Sequence, residues 1–250
     1  MSSSAKKTTP KRTVLVTGFN GGIGQAIAGT FAQSGWNVVG HYWGDGDKAR
    51  ELMACIATHG TDCSLIKADF SSKKQVTRFI AQVAELQIDS LINNAGGYLQ
   101  AKHFTELTLD DLSAALMVNL SMPILLSGCV FDGMKRRKFG RIVNVSSIAA
   151  KYGGSGSSVH YGCAKRGLEA LTKTLAREGA PHNILVNTIR PGVIDTDFHR
   201  KFPKDMKKRI DMIPLKKMGT PQDVADAVFY LASDVNGFVT SEIITIAGGE

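Results

Sequence analysis

The sequence is poor in cysteine, proline and tryptophan, with four Cys, seven Pro and two Trp in 250 residues. Cys55, Cys63, Cys129 and Cys163 form no C-x-x-C pair and no regular ladder. That excludes a disulfide framework and a cysteine-based zinc site, and it predicts reduced thiols in a cytoplasmic protein. No apolar run of roughly 18–20 residues is read in the chain, and the N-terminus lacks the apolar core of a signal peptide, so no membrane role is expected. Acidic residues are outnumbered, 22 against 30 Lys and Arg, for a net charge of +8. Lys6, Lys7, Lys11 and Arg12 lie in MSSSAKKTTPKR, a polar basic tail over residues 1–12 that is predicted to be disordered. A second basic knot, MKRRKFGR, spans 134–141. Neither is interleaved with aromatics or carries a nucleic-acid motif, so the charge points to an acidic small molecule or an acidic carrier protein, and not to nucleic acid.

What is present is an ordinary globular composition, 43% hydrophobic and 21% charged, with 26 glycines and length enough for a core without staples. Short β-branched runs at 13–17, 37–42, 63–68, 90–94, 141–146, 184–189 and 243–247 alternate with amphipathic stretches at 22–34, 47–59, 72–86, 108–137, 160–180 and 221–233. Several of the runs are apolar throughout, as strands covered on both faces must be. Such alternation predicts an α/β fold: a single-domain, Rossmann-type, doubly wound parallel sheet of about seven strands with helices on both faces, from residue 13 onward. The stretch 191–219 is too long for a plain connection, and a substrate lid is expected over about 193–212. Its segment HRKFPKDMKKR (199–209) is strongly basic, which suits an anionic substrate.

Two short patterns carry chemistry. The first strand runs straight into TGFNGGIG (17–24) and then a helix. Gly18 permits a tight turn, Gly22 lets backbone approach a phosphate, and Gly24 lets helix pack closely on strand. The helix N-terminus then offers free N–H groups and a positive dipole to a pyrophosphate. Farther on, Tyr161 precedes Lys165 by one helical turn, so both side chains share a face. A tyrosine, with pKa about 10, is protonated at neutral pH and can supply the proton that a developing alkoxide needs. A neighbouring ammonium is expected to lower that pKa, so that the phenol works in both directions. The histidines His41 and His160 stand apart from other metal-ligand types, and no metal is expected.

TGFNGGIG, NNAG (93–96), NVSS (144–147), YGCAK (161–165), RPGVIDTD (190–197) and the closing segment 214–249 follow one another in an order and spacing that resemble the short-chain dehydrogenases/reductases over residues 13–249. Within that family the chain looks most like the 3-oxoacyl-(acyl-carrier-protein) reductases. The resemblance implies a catalytic set of Asn119, Ser147, Tyr161 and Lys165. Ser147 would hold the substrate oxygen, Asn119 would anchor a water relay to the lysine, and Lys165 would also reach the nicotinamide ribose. Ser147 stands one residue farther from Tyr161 than the family spacing, and Ser146 is the alternative. Implied cofactor contacts are Gly18, Asn20, Gly22, Ile23, Gly24, Tyr42, Asp69, Phe70, Asn94, Ala95, Gly96, Tyr161, Lys165, Pro191, Gly192, Ile194 and Thr196. Gly97, where the family carries a branched apolar residue, would widen the pocket beside the nicotinamide.

At the end of the second strand an acid would bind both ribose hydroxyls of NAD. Here that place is held by Tyr42, or by His41 if the register slips by one, and no acid occurs before Asp45. This favours NADP(H) over NAD(H), with Lys48 and Arg50 as candidates to reach the 2′-phosphate and Gly21 where many NADP-using relatives carry a basic residue. The implied activity is NADPH-dependent reduction of a 3-oxoacyl thioester, as in fatty acid biosynthesis. A sugar, polyol or other small ketone is the alternative substrate, and a non-catalytic cofactor-binding regulator is disfavoured by the intact Ser147–Tyr161–Lys165 trio. The family also implies a homotetramer, and Lys135–Lys138 with Arg177 would suit an acidic acyl carrier protein.

Overall fold

The computed structural model describes residues 11–98, 100–197 and 205–250. Each apolar run forms a strand: β1 (Thr13–Thr17), β2 (Asn37–Tyr42), β3 (Cys63–Lys67), β4 (Ser90–Asn93), β5 (Gly140–Val145), β6 (Ile184–Pro191) and β7 (Ile243–Ile246). They pair in parallel in the order β3-β2-β1-β4-β5-β6-β7. The helices are α1 (Gly22–Gln33), α2 (Gly46–Ala57), α3 (Lys73–Ala84), α4 (Leu109–Leu116), α5 (Met122–Arg137), α6 (Ile148–Tyr152), α7 (Val159–Gly179), α8 (Met206–Asp211) and α9 (Pro221–Ala232).

Side chains along a strand point alternately to opposite faces, and this alternation builds two cores. Val14 and Val16 of β1 join Ile27, Phe31, Val224, Val228 and Leu231 beneath α1 and α9. Leu15, between them, joins Phe79, Leu126, Met134 and Ile142 beneath α3 and α5. Full burial of each such side chain contributes roughly 1.5–3 kcal/mol. The chain crosses from one face to the other between β1 and β4, so the loops after these two strands diverge and leave a crevice at their C-terminal ends, where ligands of open α/β sheets bind.

Two expectations change. Lys11 and Arg12 are not part of a disordered tail. Lys11 Nζ donates to Gly60 O at 2.6 Å, and the Arg12 guanidinium lies 3.3 Å from the Phe139 ring centroid, a cation–π contact that holds the chain onto β1. The rest of the expected tail, residues 1–10, lies outside the described residues. A long apolar helix also exists: Leu109–Arg137 runs 29 residues through α4, a π-helical turn (Met117–Ser121) and α5, with a mean hydropathy of 1.9 over its best 18-residue window. By length and composition it could cross a membrane. Here its inner side packs on the sheet through Met122, Leu126, Val130 and Met134, while Leu109, Leu116, Ile124 and Leu125 stay exposed. Of the stretch 193–212, expected to be a lid, residues 206–211 form α8 and residues 198–204 lie outside the described residues.

Candidate active site

The crevice is floored by the glycine turn. Gly18 has φ +65°, and a Cβ there would lie 2.9 Å from Ala95 Cα; a Cβ on Gly24 would lie 2.2 Å from Gly18 O. Both positions therefore exclude any side chain. A Cβ on Gly22 would meet Thr196 Cγ2 at 2.8 Å, so Thr196, beyond β6, comes back against the turn. α1 has no side-chain cap at Gly21 and no acid in its first turn, whereas α2, α4 and α9 are capped by Asp45, Thr108 and Thr220. A narrow backbone cradle below an uncapped helix terminus fits the pyrophosphate of a dinucleotide.

Several residues expected to touch the cofactor brace this cradle. Asn94 Nδ2 donates to Thr17 O at 2.9 Å and Gly18 O at 3.2 Å, and the Ala95 amide donates to Thr17 Oγ1. Asn20 Nδ2 reaches the carbonyls of Trp43 and Asp45, and Ile23 packs partly buried against the α1 core. Asp69 Oδ1 accepts from the amide and hydroxyl of Ser71, a turn-capping role. Beyond β6, Pro191 and Ile194 are buried, and the Gly192 amide donates to Ile246 O.

The expected adenine end is packed with aromatic rings. Phe70 does not turn its ring to the crevice: it is buried, stacked on His41 with ring centroids 3.9 Å apart and against Phe79. Tyr42 is the last residue of β2 and is also buried, while Trp43, which the sequence reading passed over, stands 64% exposed at the strand's end. Lys48 lies 3.8 Å from Asp197, and Arg50 pairs with Asp47, so both cations already have acidic neighbours.

The second wall holds the chemistry. Ser147, Tyr161 and Lys165 meet where β5 and α7 converge. Tyr161 is half-buried, and Lys165 Nζ lies 5.8 Å from its ring centroid and donates to Val145 O at 2.8 Å. Burial lowers the Lys165 pKa to about 8. Burial also pushes the Tyr161 phenol above its ordinary value, opposed by a hydrogen bond from Ser147. The expected lowering of the phenol by Lys165 is thus not what this structure shows, because loss of hydration disfavours the phenolate more than the Ser147 hydrogen bond favours it. A raised phenol is a fully protonated one near neutral pH, which suits proton donation.

Ser147 caps α6, its Oγ accepting from the Ala149 amide at 3.2 Å. Ser146 faces away: its hydroxyl donates to Lys165 O and to Glu169 Oε1, and Glu169 is clamped in turn by Arg190 at 2.8 and 2.9 Å. Ser147 is therefore the serine at the phenol. Asn119, fully buried in the π turn, donates to the carbonyls of Gly97 and Ala115 and accepts from the Gly97 amide. A Cβ on Gly96 would lie 2.6 Å from Asn119 Oδ1 and 3.0 Å from Lys165 Nζ, so both groups close on the space a side chain would need there. Gly97 takes φ +151°, a backbone reason for glycine independent of pocket width.

Two further side chains meet the trio. The Tyr98 ring packs edge-on to Tyr161 at 6.3 Å and lies 5.9 Å from the ring of His160, and its hydroxyl donates to Ser157 O. His160 is 4% exposed, with neither ring nitrogen hydrogen-bonded. Nothing in the sequence marked Tyr98, and His160 entered there only as a rejected metal ligand. Among the described residues there is no cluster of metal ligands, and all four cysteines are free.

Cradle, proton donor and ammonium along one crevice define a nicotinamide-dependent oxidoreductase. Residues 18–250 match the family model described as "Enoyl-(Acyl carrier protein) reductase". The chain is 39% identical to acetoacetyl-CoA reductase of Shinella zoogloeoides, over 96% of this chain and 98% of that protein. It is 35% identical to a 3-oxoacyl-[acyl-carrier-protein] reductase of Aquifex aeolicus, over 94% and 95%. A crystal structure of a 3-oxoacyl (acyl-carrier-protein) reductase from Agrobacterium tumefaciens with NADP bound superimposes with a TM-score of 0.86 at 29% identity, covering 96% of this chain and 94% of that one. The chain belongs to the short-chain dehydrogenases/reductases and is an NAD(P)-dependent oxidoreductase.

Proposed function

We propose that the protein reduces 3-oxoacyl thioesters, carried on coenzyme A or on an acyl carrier protein, with NADPH. The observation that carries this reading is the meeting of Ser147, Tyr161 and Lys165 beside the glycine cradle. When bound, the nicotinamide supplies the hydride. The Ser147 hydroxyl holds the ketone oxygen, Tyr161 gives it a proton, and Lys165 stabilises the phenolate left behind. The substrate class rests on the relatives' named substrates and on Lys207, Lys208 and Arg209 of the lid, which suit an anionic thioester carrier. NADPH is favoured by the absence of an acid at the end of β2 and by the NADP-bound neighbour.

Assembly as a homotetramer is part of the proposal. Leu109, Leu112, Leu116, Ile124 and Leu125 are exposed along α4 and α5, an apolar strip suited to a second copy. The outer face of α7, by contrast, carries Arg166, Lys173, Arg177 and Glu178. The knot Lys135–Lys138 precedes β5, so within one chain it lies at the N-terminal end of the strands, the end of the sheet opposite Ser147. An acidic carrier docked there serves the site of a neighbouring copy. Cofactor oxidation with acetoacetyl-CoA, in matched NADPH and NADH assays, tests the reading. Rapid oxidation of NADPH alone is expected. Faster oxidation of NADH would overturn the cofactor preference, and no oxidation of either would overturn the substrate class.

A further inference from the structure

His41 has no role in the chemistry above, yet it joins the two loops that a bound dinucleotide must span. It is 3% exposed in β2, between the glycine turn after β1 and the loop after β3. The Gly18 amide lies 3.2 Å from its Nδ1, and its Nε2 lies 3.0 Å from Ala68 O. An amide can only donate and a carbonyl can only accept, so the two contacts together require a neutral ring with the proton on Nε2. Burial supports the neutral form, lowering the pKa to about 4 against the opposing hydrogen bond to Ala68. The ring also stacks on Phe70 at an interplanar angle of 5° and meets Phe79 edge-on, which fixes its plane. Its own carbonyl accepts from the Phe19 amide at 2.8 Å.

We propose that His41 is a positioning residue for the dinucleotide site, setting the glycine turn at a fixed distance from the Asp69–Phe70 loop through its two ring nitrogens. The inference rests on the NADPH reading above. Gly18 is then gripped from both sides: its carbonyl by Asn94 and the Gly21 amide, and its amide by His41. Ala68 leads directly into Asp69 and Phe70, so a single ring sets both the pyrophosphate turn and the adenine-side loop. Without its two hydrogen bonds, the turn must be ordered by the ligand, and that ordering is subtracted from affinity. The chemistry at Tyr161 lies across the crevice and is untouched once the cofactor is seated.

The test compares wild type, His41→Phe and His41→Gln by NADPH fluorescence titration, by steady-state kinetics at saturating NADPH and by thermal melting. Phenylalanine keeps the stack on Phe70 but leaves the Gly18 amide and Ala68 carbonyl unpaired, whereas glutamine retains one acceptor and one donor. His41→Phe is expected to raise the NADPH Kd about tenfold or more, with kcat at saturation within a few-fold of wild type and His41→Gln recovering most of the loss. An unchanged Kd in His41→Phe, or equal losses in both variants, overturns the proposal. Should His41→Phe not fold, nitrogen-15 NMR of the wild-type imidazole decides: an Nε2–H tautomer is expected, and an Nδ1–H tautomer overturns the brace. Failure of wild type to bind any nicotinamide dinucleotide would overturn the underlying cofactor reading instead.

Discussion

His41 and His160 are both buried histidines, on opposite walls of one crevice, and their surroundings differ completely. Both nitrogens of His41 face fixed backbone partners, and its ring is sandwiched by aromatics. Neither nitrogen of His160 is hydrogen-bonded, and its ring neighbour, Tyr98, opens the loop that runs toward the substrate side. The cofactor wall is tightly tied: Asn94, Thr17, Asn20 and His41 hold its turns together. The substrate wall holds its catalytic groups firmly and leaves polar capacity unused around them. A family whose members share a cofactor and differ in substrate is built most economically in this way, with one rigid wall and one adaptable one.

The contrast is open to breakage at several points. The largest effect is expected for Tyr161→Phe, which removes the proton donor: kcat should fall by roughly 10²–10⁴-fold. NADPH Kd should stay near wild type; a comparable loss of binding would show that the two walls are not separable. Ser147→Ala should lower kcat by about 10²-fold or more, as loss of one oxyanion-type donor does. Ser146→Ala, one residue away, should leave kcat near wild type and cost about 1–3 kcal/mol in urea unfolding, because it leaves Glu169 and Lys165 O short of a partner. Equal kinetic losses in the two serine variants would contradict the assignment.

Lys165 supplies a prediction with opposite signs for activity and stability. Its pKa falls from 10.5 to about 8 on folding. Between those values the unfolded chain binds more protons than the folded one, so stability rises as pH climbs from about 8 to 10.5, and below 8 the burial cost of the ammonium is fully present. Lys165→Met should therefore slow turnover, by less than Tyr161→Phe does, while raising Tm at pH 7, and a lowered Tm would refute the burial argument. In the wild type, kcat for reduction should hold steady up to about pH 8 and decline above it as the ammonium is lost; a profile flat to pH 10 would detach Lys165 from the reaction. The smallest effect is reserved for His160→Phe. Removing an imidazole with no hydrogen-bond partner should leave Tm at or above wild type, whereas His41→Phe should lower it. Matching losses in both would erase the difference between the walls.

Much of the architecture was legible because it depends on local pattern. All seven strands appear within two residues of their predicted limits, since strands covered on both faces announce themselves as apolar runs. The Thr220–Asp223 capping box begins α9 at the start of the amphipathic stretch 221–233. The glycine turn and the Tyr161–Lys165 pair were legible because their spacing is itself the geometry. What stayed hidden depends on partners far along the chain. Nothing near Phe70 says that its ring turns inward to His41, twenty-nine residues earlier. Ser146 and Ser147 are indistinguishable until Glu169 and Arg190 are seen to engage the former. The π turn at Asn119 and the buried phenol of Tyr161 likewise follow from packing: nearness of an ammonium in sequence argued for a lowered pKa, and burial reversed the sign.

The central claim is that this crevice donates a proton to a carbonyl oxygen, although the matching family model is named for enoyl reduction. Stopped-flow mixing of the protein–NADPH complex with acetoacetyl-CoA, and separately with the 2-enoyl thioester crotonyl-CoA, addresses it most directly. The account predicts NADPH oxidation with release of the 3-hydroxyacyl product in the first case and none in the second. Oxidation with the enoyl thioester alone would contradict it.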